Sequence, residues 1–164
     1  AGSSASERDT TADAFTALGE PGIVVHGLAI RPGKPTLLAV AGEVPLIGLP
    51  GNPVSALTVA HLLVAPMIRH LLGLAPMPPA AALRARLLAP IPSEAGRTDF
   101  QAVRIAAGQG ELVAEPVFGK SNLIFTLVRA GGIVRIPPET TGLETGTMVD
   151  VIPFESWVGT GSDR

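Results

Sequence analysis

The chain has 164 residues, 46% of them hydrophobic and 16% charged, and its net charge at pH 7 is −2. This length suits one domain or two small ones with a buried core, and the composition excludes an intrinsically disordered chain. The scattered basic residues do not favour nucleic-acid binding, and the absence of cysteine excludes disulfides and thiolate metal ligands.

The longest apolar run, residues 54–68, contains His61 and Pro66 and is shorter than the roughly 20 residues that span a bilayer. No basic segment followed by an apolar one opens the chain, so we expect no signal peptide, no membrane association and a cytoplasmic location. Because the chain begins at Ala1 without a methionine, we expect a fragment or a processed product.

The first half of the chain predicts a helix at residues 10–18, with Asp9 as its N-cap and Gly19 after its end. Strands are predicted at 22–30, 36–41 and 44–49, and a second helix at 54–72. The second helix has no polar stripe, so we expect its first half to be buried on several sides. Pro66 should kink this helix or end it early.

The loop before the second helix reads Gly48-Leu49-Pro50-Gly51-Asn52-Pro53-Val54-Ser55-Ala56. Its prolines fix φ and have no N–H, while Gly51 and Asn52 readily take a positive φ. These residues predict a stiff turn with exposed backbone donors, in front of a helix N-terminus that carries partial positive charge and suits an anion. A tight connection without a ligand explains the same residues equally well.

A cationic turn, Arg31-Pro32-Gly33-Lys34-Pro35, lies upstream at the end of a predicted strand. In an open α/β sheet, ligands collect at the carboxyl ends of the strands. Two cations beside a helix N-terminus indicate binding of phosphate or another oxyanion. The alternative is that Arg31 and Lys34 are solvated loop cations.

The composition changes at residues 74–79, Leu-Ala-Pro-Met-Pro-Pro, which predict a stiff extended linker. Beyond it, short strands separated by turns rich in Gly and Pro predict a small β-barrel or sandwich. We expect these strands at 82–89, 101–107, 112–117, 132–136 and 148–153. A helical turn is expected at 123–129, and residues 155–164 should be frayed.

This second half contains two candidate sites. Arg97 follows Gly96 in a loop, where its guanidinium could bind an oxyanion, and an ion pair with Asp99 or Glu94 is the alternative. Ser121 precedes the predicted helical turn, whose N–H groups could bind phosphate, although an ordinary N-cap would look the same. The three histidines lack a metal-ligand spacing, and no Gly-x-Ser-x-Gly motif indicates a serine hydrolase.

Taken together, these segments resemble the molybdopterin molybdenumtransferase family, which includes MoeA and the gephyrin E-domain. The Pro-Gly-Lys-Pro turn and the Gly48-to-Ala56 loop carry the resemblance. Residues 1–9 resemble the family's Gly-Gly-x-Ser-x-Gly-x-x-Asp loop, and residues 93–100 its Gly-Arg-x-x-Phe segment. Residues 119–122 and 130–137 also fit, so the resemblance runs from residue 1 to about 154.

The resemblance implies a fold in four segments. Residues 1–74 would be the C-terminal half of an α/β, MoaB/Mog-like molybdopterin-binding domain, and 75–79 a Pro-rich linker. Residues 80–154 would form a small all-β, barrel-like C-terminal domain, and 155–164 a frayed end.

The resemblance also implies a function: insertion of molybdate into adenylylated molybdopterin with Mg²⁺ and release of AMP. Asp9 would be a catalytic residue that helps hold the cation, and Arg31, where the family commonly has lysine, would be the other. The remaining implied site residues would bind the substrate, and they are Lys34, Pro50, Gly51, Asn52, Pro53, Arg97 and Ser121.

A homodimer is implied for the full-length protein, and the family's N-terminal domains are missing from this chain. Asp9 alone cannot hold Mg²⁺, which usually takes one or two carboxylates together with phosphate and water. We therefore expect the isolated chain to be inactive. The alternative is a non-catalytic pterin-binding or scaffold module on the same fold, as in the gephyrin branch.

Overall fold

The computed structural model describes residues 10–74, 83–119 and 130–154. The chain divides into two compact units, an N-terminal unit within residues 1–74 and a C-terminal unit within residues 75–164. The predicted linker at 75–79, the helical turn at 123–129 and the frayed end at 155–164 lie outside the described residues.

The first described element of the N-terminal unit is helix α1, Thr10–Ala17, close to the predicted limits. Its sheet consists of β1, Pro21–His26, and the hairpin of β3, Leu37–Ala41, and β4, Val44–Gly48, in the antiparallel order β1-β3-β4. Leu37 is fully buried and pairs with Gly48, and a Cβ at Gly48 would lie only 3.4 Å from the Phe15 ring of α1. Helix α1 therefore packs on the sheet at Gly48, where the absence of a side chain leaves room for the Phe15 ring.

The predicted strand at 22–30 is broken, which corrects the sequence analysis. β1 ends at His26, and only the two-residue strand β2, Ile30–Arg31, follows. Gly27 has a φ of 90° and donates its N–H to the Thr36 carbonyl at 2.8 Å. The chain leaves the sheet there because Gly27 tolerates a left-handed conformation that other residues avoid.

The second helix runs from Pro53 to Leu71 as three consecutive segments: α2, Pro53–Val59, a π-helical segment, Ala60–Val64, and α3, Ala65–Leu71. The expectation that Pro66 would end it early is wrong. The Ala65 N–H donates to the carbonyl of Ala60, five residues back, so the turn before Pro66 is wider than an α-turn. This wider turn accommodates a residue that has no N–H and a bulky ring.

In the first half of this helix the fully buried side chains lie on one face, so the prediction of burial on several sides is wrong. Val54, Ser55, Thr58 and Val59 are buried at i, i+4 spacing, while Leu57 is 41% exposed. By length and apolar composition alone, the helix Pro53–Leu71 could cross a membrane, which is weak support for membrane insertion because core helices meet the same criteria.

The C-terminal unit is a closed barrel of five strands with a small two-stranded ribbon, and this confirms the predicted class of an α/β part followed by an all-β barrel. The barrel order is β7-β8-β5-β11-β9, closed by pairing of β9 with β7. The strands are β5, Leu83–Leu87, β6, Ile91–Pro92, β7, Thr98–Ala107, β8, Leu112–Pro116, β9, Gly132–Ile136, β10, Gly142–Leu143, and β11, Met148–Pro153.

The ten-residue strand β7 closes the barrel. Its first half pairs with β9 and its second half with β8, and Val103 pairs with both. Such a stagger between neighbours is what closure of a small barrel requires. The interior is filled by apolar side chains that are almost fully buried, namely Leu87, Ile91, Val103, Val134, Ile136 and Val151.

Candidate functional site

The loop before α2 is organised by Asn52, which caps the helix. Its φ of −77° and ψ of 125° are extended, so the predicted positive φ is wrong for this residue. The side-chain Oδ1 accepts hydrogen bonds from the N–H groups of Val54 at 3.1 Å and Ser55 at 3.2 Å. An N-cap needs this extended backbone to reach the first helical turn, and that requirement overrides the tolerance of asparagine for the left-handed region.

The cap also changes which groups an anion could contact. Pro53 has no N–H, the N–H groups of Val54 and Ser55 are bonded to Asn52 Oδ1, and that of Ala56 donates to the Asn52 carbonyl at 2.8 Å. The N–H groups of the first helical turn are therefore taken up by the cap, and the predicted exposed donors must lie in the loop in front of it. Gly51 is exposed, and its N–H makes no hydrogen bond in the part of the chain that the structure describes.

The backbone of the cationic turn is held by hydrogen bonds, one of them from Thr36. Thr36 is a buried residue that the sequence pattern did not single out. Its Oγ1 donates to the Gly33 carbonyl at 2.6 Å, and the Leu28 N–H donates to the Lys34 carbonyl at 2.9 Å. A Ser or Thr hydroxyl bonded to the carbonyl three residues back is a known local motif. The only sequence signal for this role of Thr36 is its position three residues after Gly33. That spacing is too common in proteins to single out a residue.

Gly33 connects the turn with the helix. It is buried with a φ of 123°, and a Cβ there would lie 2.8 Å from both Ile30 Cδ1 and Val59 Cγ2. Val59 is six residues after Pro53, which is about 9 Å along a helix axis. The N-terminal unit therefore contains both the cationic turn and the loop before α2, with the turn packed against the second turn of that helix.

The two cations of this turn are exposed. Lys34 forms no ion pair with any residue in the described ranges, and Arg31 ends the short strand β2. Pro50 is buried, Pro53 is exposed and Asn52 is half-buried. The loop thus offers one exposed backbone donor, at Gly51, in the unit that carries the two exposed cations.

In the C-terminal unit, Arg97 forms the ion pairs that the sequence analysis had named as the alternative to an anion site. Its Nε donates to Asp99 Oδ1 at 2.9 Å, and its Nη1 lies 3.0 Å from Glu94 Oε2. The Arg97 side chain is 29% exposed. Its third nitrogen, Nη2, donates no hydrogen bond to a described residue.

Two predicted site residues, Asp9 and Ser121, lie outside the described residues. Within residues 10–74, 83–119 and 130–154, no group of three or more His, Asp and Glu side chains could hold a metal ion. His61 is buried in the π-helical segment, and this burial lowers its pKa from the ordinary value. A lowered pKa keeps its imidazole neutral.

Comparison with protein families gives two matches that cover most of the chain. Residues 84–154 match the MoeA C-terminal region, domain IV, and residues 1–70 match the family described as a probable molybdopterin binding domain. The border between the two matches falls in the same region as the border between the two units.

Similar proteins include a molybdopterin biosynthesis protein of Methanocaldococcus jannaschii, 30% identical over 92% of this chain and 34% of the relative. Molybdopterin molybdenumtransferase 1 of Mycobacterium tuberculosis is 36% identical over 82% of this chain and 33% of the relative. The crystal structure of a MoeA protein from Pyrococcus horikoshii superposes with a TM-score of 0.73 at 36% identity, over 89% of this chain and 35% of that one. The chain thus spans about a third of the length of these relatives.

Proposed function

Because this chain belongs to the MoeA family, we propose that its protein takes part in molybdenum cofactor biosynthesis as a molybdopterin molybdenumtransferase. The substrates would be adenylylated molybdopterin and molybdate, with AMP as a product. The 36% identical relative named molybdopterin molybdenumtransferase 1 supports this activity, and the 30% identical molybdopterin biosynthesis protein supports the wider role in cofactor biosynthesis.

The single structural observation that carries the proposal is the packing of the cationic turn against α2 through Gly33 and Val59. It fixes the backbone of Arg31 and Lys34 while their side chains remain exposed. Cleavage of a phosphoanhydride concentrates negative charge on oxygen, and preorganised cations and N–H donors stabilise such charge. We assign this role to Arg31, Lys34 and the Gly51 N–H.

Other residues have proposed supporting roles. Pro50 and Pro53 would form part of the pterin and oxyanion pocket, and Asn52 would hold their loop through the helix cap. Arg97 and Ser121 of the C-terminal unit would also be substrate-binding residues. Asp9 would be the acidic catalytic residue.

A magnesium ion is part of the proposal, with Asp9 as one of its ligands. Mg²⁺ usually takes one or two carboxylates together with phosphate and water, and within the described residues no group of three or more His, Asp and Glu side chains could hold a metal ion. A cytoplasmic location and a homodimer of the full-length protein are further proposals.

An oxyanion titration tests the site. We expect molybdate, sulfate or AMP to shift the amide NMR signals of Gly51, Asn52 and Lys34 before those of the barrel strands. Arg31→Ala should weaken this binding by about 1 to 3 kcal/mol, since a charge-assisted hydrogen bond is lost. Equal shifts throughout the chain, or none, would favour a loop without a ligand.

Release of AMP from adenylylated molybdopterin tests the activity. We expect turnover by the full-length protein, loss of turnover with Asp9→Asn, and negligible turnover by the 164-residue chain alone. A full-length protein that binds the pterin without releasing AMP would support the non-catalytic module instead. An active Asp9→Asn variant would remove Asp9 from the mechanism.

A further inference from the structure

Arg97 is held by two carboxylates that differ strongly in environment. The Asp99 side chain is 8% exposed, and it lies on β7 where its residue pairs with Ile136 of β9. The Glu94 side chain is 73% exposed and belongs to the loop that follows β6. Asp99 is therefore a fixed partner of the guanidinium, while Glu94 is a partner that can move into water.

The backbone around Glu94 stays in place independently of its side chain. The Ser93 N–H donates to the Thr141 carbonyl at 2.9 Å, and the Gly96 N–H donates to the Pro138 carbonyl at 2.8 Å. These two bonds attach the loop to the segment between β9 and β10 on both sides of Glu94. Release of the Glu94 carboxylate from Arg97 therefore requires only a side-chain rotation.

Glu94 occupies one of the two nitrogens on the outer edge of the Arg97 guanidinium. Nε donates to Asp99 and Nη1 is paired with Glu94, whereas Nη2 donates no hydrogen bond to a described residue. The Nη1 and Nη2 pair is one of the edges with which arginine binds two oxygens of a carboxylate or phosphate at once.

We propose that Glu94 is an internal competitor that occupies the oxyanion position on Arg97 until a phosphate-type ligand displaces it, while Asp99 holds the guanidinium in place. The assignment of an oxyanion to Arg97 rests on the proposed function, but the role of Glu94 goes beyond it.

The net charge of Arg97 and its two carboxylate partners predicts how loss of Glu94 changes the affinity for an anion. One guanidinium and two carboxylates sum to −1, which disfavours an anion, and displacement or neutralisation of Glu94 brings the group to zero. Exposed ion pairs contribute little, since solvent screens them. Loss of this pair should therefore change the affinity for an oxyanion by only a few-fold.

Titration of the 164-residue chain with inorganic phosphate at constant ionic strength, followed by the Arg97 Nε–H NMR signal, tests the proposal. Glu94→Gln should lower the dissociation constant about two- to fivefold, because it removes the competing charge. The matched control is Glu115→Gln. Glu115 is also a partly exposed carboxylate paired with an arginine, Arg104, so its replacement changes the net charge equally and should leave the constant unchanged.

Arg97→Ala provides the second control, monitored through the amides of Ala95 and Gly96. In this variant, phosphate should no longer shift these amide signals. The double variant with Glu94→Gln should show no phosphate-induced shift either. AMP is then titrated in place of phosphate. If AMP binds more tightly than phosphate and Glu94→Gln still lowers its dissociation constant, the natural ligand is a phosphate carried on a nucleotide. If AMP and phosphate bind equally and Glu94→Gln tightens both, the natural ligand is a free oxyanion, and either result supports the competitor role of Glu94.

Two results would overturn the inference and separate it from the proposed function. If phosphate shifts the Arg97 signal but Glu94→Gln fails to tighten binding, or Glu115→Gln tightens it equally, Glu94 is not a competitor and Arg97 remains an anion site. If phosphate leaves the Arg97 signal unchanged in every variant, the anion role of Arg97 fails as well.

Discussion

At the scale of single residues, Asn52 has the clearest structural role. Its Oδ1 accepts two N–H groups that would otherwise be unsatisfied at the start of α2. We predict that Asn52→Ala lowers the free energy of unfolding of the N-terminal unit by about 1 kcal/mol, the usual cost of losing an N-cap. Urea unfolding monitored by amide signals of this unit measures the change.

The matched control is Asn52→Asp, because aspartate caps helices as well as asparagine does. We expect this variant to keep nearly the wild-type stability. It also adds a negative charge beside Gly51, so it should weaken binding of an oxyanion in the titration described above. Equal destabilisation by Asp and Ala would show that the cap is not the source of the effect.

His61 makes the stability of the N-terminal unit depend on pH. In the unfolded chain its pKa is about 6.5, and burial lowers the pKa in the folded state. The unfolded state therefore binds more protons in the window below pH 6.5, so stability rises with pH there and is lost on acidification. We predict that the urea midpoint falls between about pH 7 and pH 5 more steeply in the wild type than in His61→Gln.

His70 provides the control for this measurement, since it lies on the same helix but is exposed. His70→Gln should retain the wild-type pH dependence of the midpoint. Identical slopes for the wild type and His61→Gln would mean that burial of His61 does not contribute to the pH dependence.

Residue types identified the loops of the candidate site but not their hydrogen bonds. The Pro, Gly and Asn content around Asn52 was enough to predict a turn before a helix. The φ of Asn52 depended instead on which neighbouring N–H groups its side chain reached. For Arg97, the sequence left an anion site and an ion pair open, and it did not show that one partner, Asp99, is buried on β7 where that strand pairs with β9.

At the scale of elements, the cationic turn and α2 depend on close contact at Gly33. We predict that Gly33→Ala destabilises the N-terminal unit, because a positive φ is strained and a Cβ would lie 2.8 Å from Val59 Cγ2. Overpacking typically adds about 1 to 3 kcal/mol to such strain. The difference in the free energy of unfolding between Gly33→Ala and the wild type, measured by urea titration, gives the sum of strain and overpacking.

Gly19→Ala separates the two contributions. Gly19 has a similar φ of 133°, and a Cβ there would meet nothing within 4 Å. Gly19→Ala should lower the free energy of unfolding only through backbone strain. Gly33→Ala should lower it further, by the cost of the close contact between the new Cβ and Val59. Equal losses of stability at the two positions would show that contact between the turn and α2 is not tight.

Elements with long apolar patterns were predicted well, and those that depend on distant partners were not. Two barrel strands, Gly132–Ile136 and Met148–Pro153, have the predicted limits because apolar runs between Gly and Pro turns mark strands. The break after His26 required a bond from Gly27 to Thr36, nine residues away. The two-residue strands β6 and β10 pair across about 50 residues, which no local pattern could indicate.

At the scale of the whole molecule, each unit has its own buried centre. Leu37, Ala39 and Val59 are buried in the N-terminal unit, whereas a separate cluster of buried apolar residues lies in the barrel. Within that cluster, Leu87 is 1% exposed. A separate core is the property that allows part of a chain to unfold independently.

We predict that the segment between the two units, residues 74–80, is the preferred site of internal proteolysis. Proteases cut exposed segments with few backbone hydrogen bonds, and three prolines in this segment disfavour a continuous helix. Brief digestion with a protease of broad specificity, followed by mass spectrometry, should yield two resistant fragments that meet near residue 75.

A core variant tests whether the resistance of each fragment comes from its own unit. Leu87→Ala should cost the barrel about 2 to 5 kcal/mol, because it leaves a cavity in a packed interior. We therefore expect faster loss of the C-terminal fragment, with the N-terminal fragment persisting as in the wild type. If both fragments disappear at the same increased rate, or if no cleavage occurs between residues 74 and 80, the two units share one cooperative core and the division of the chain is wrong.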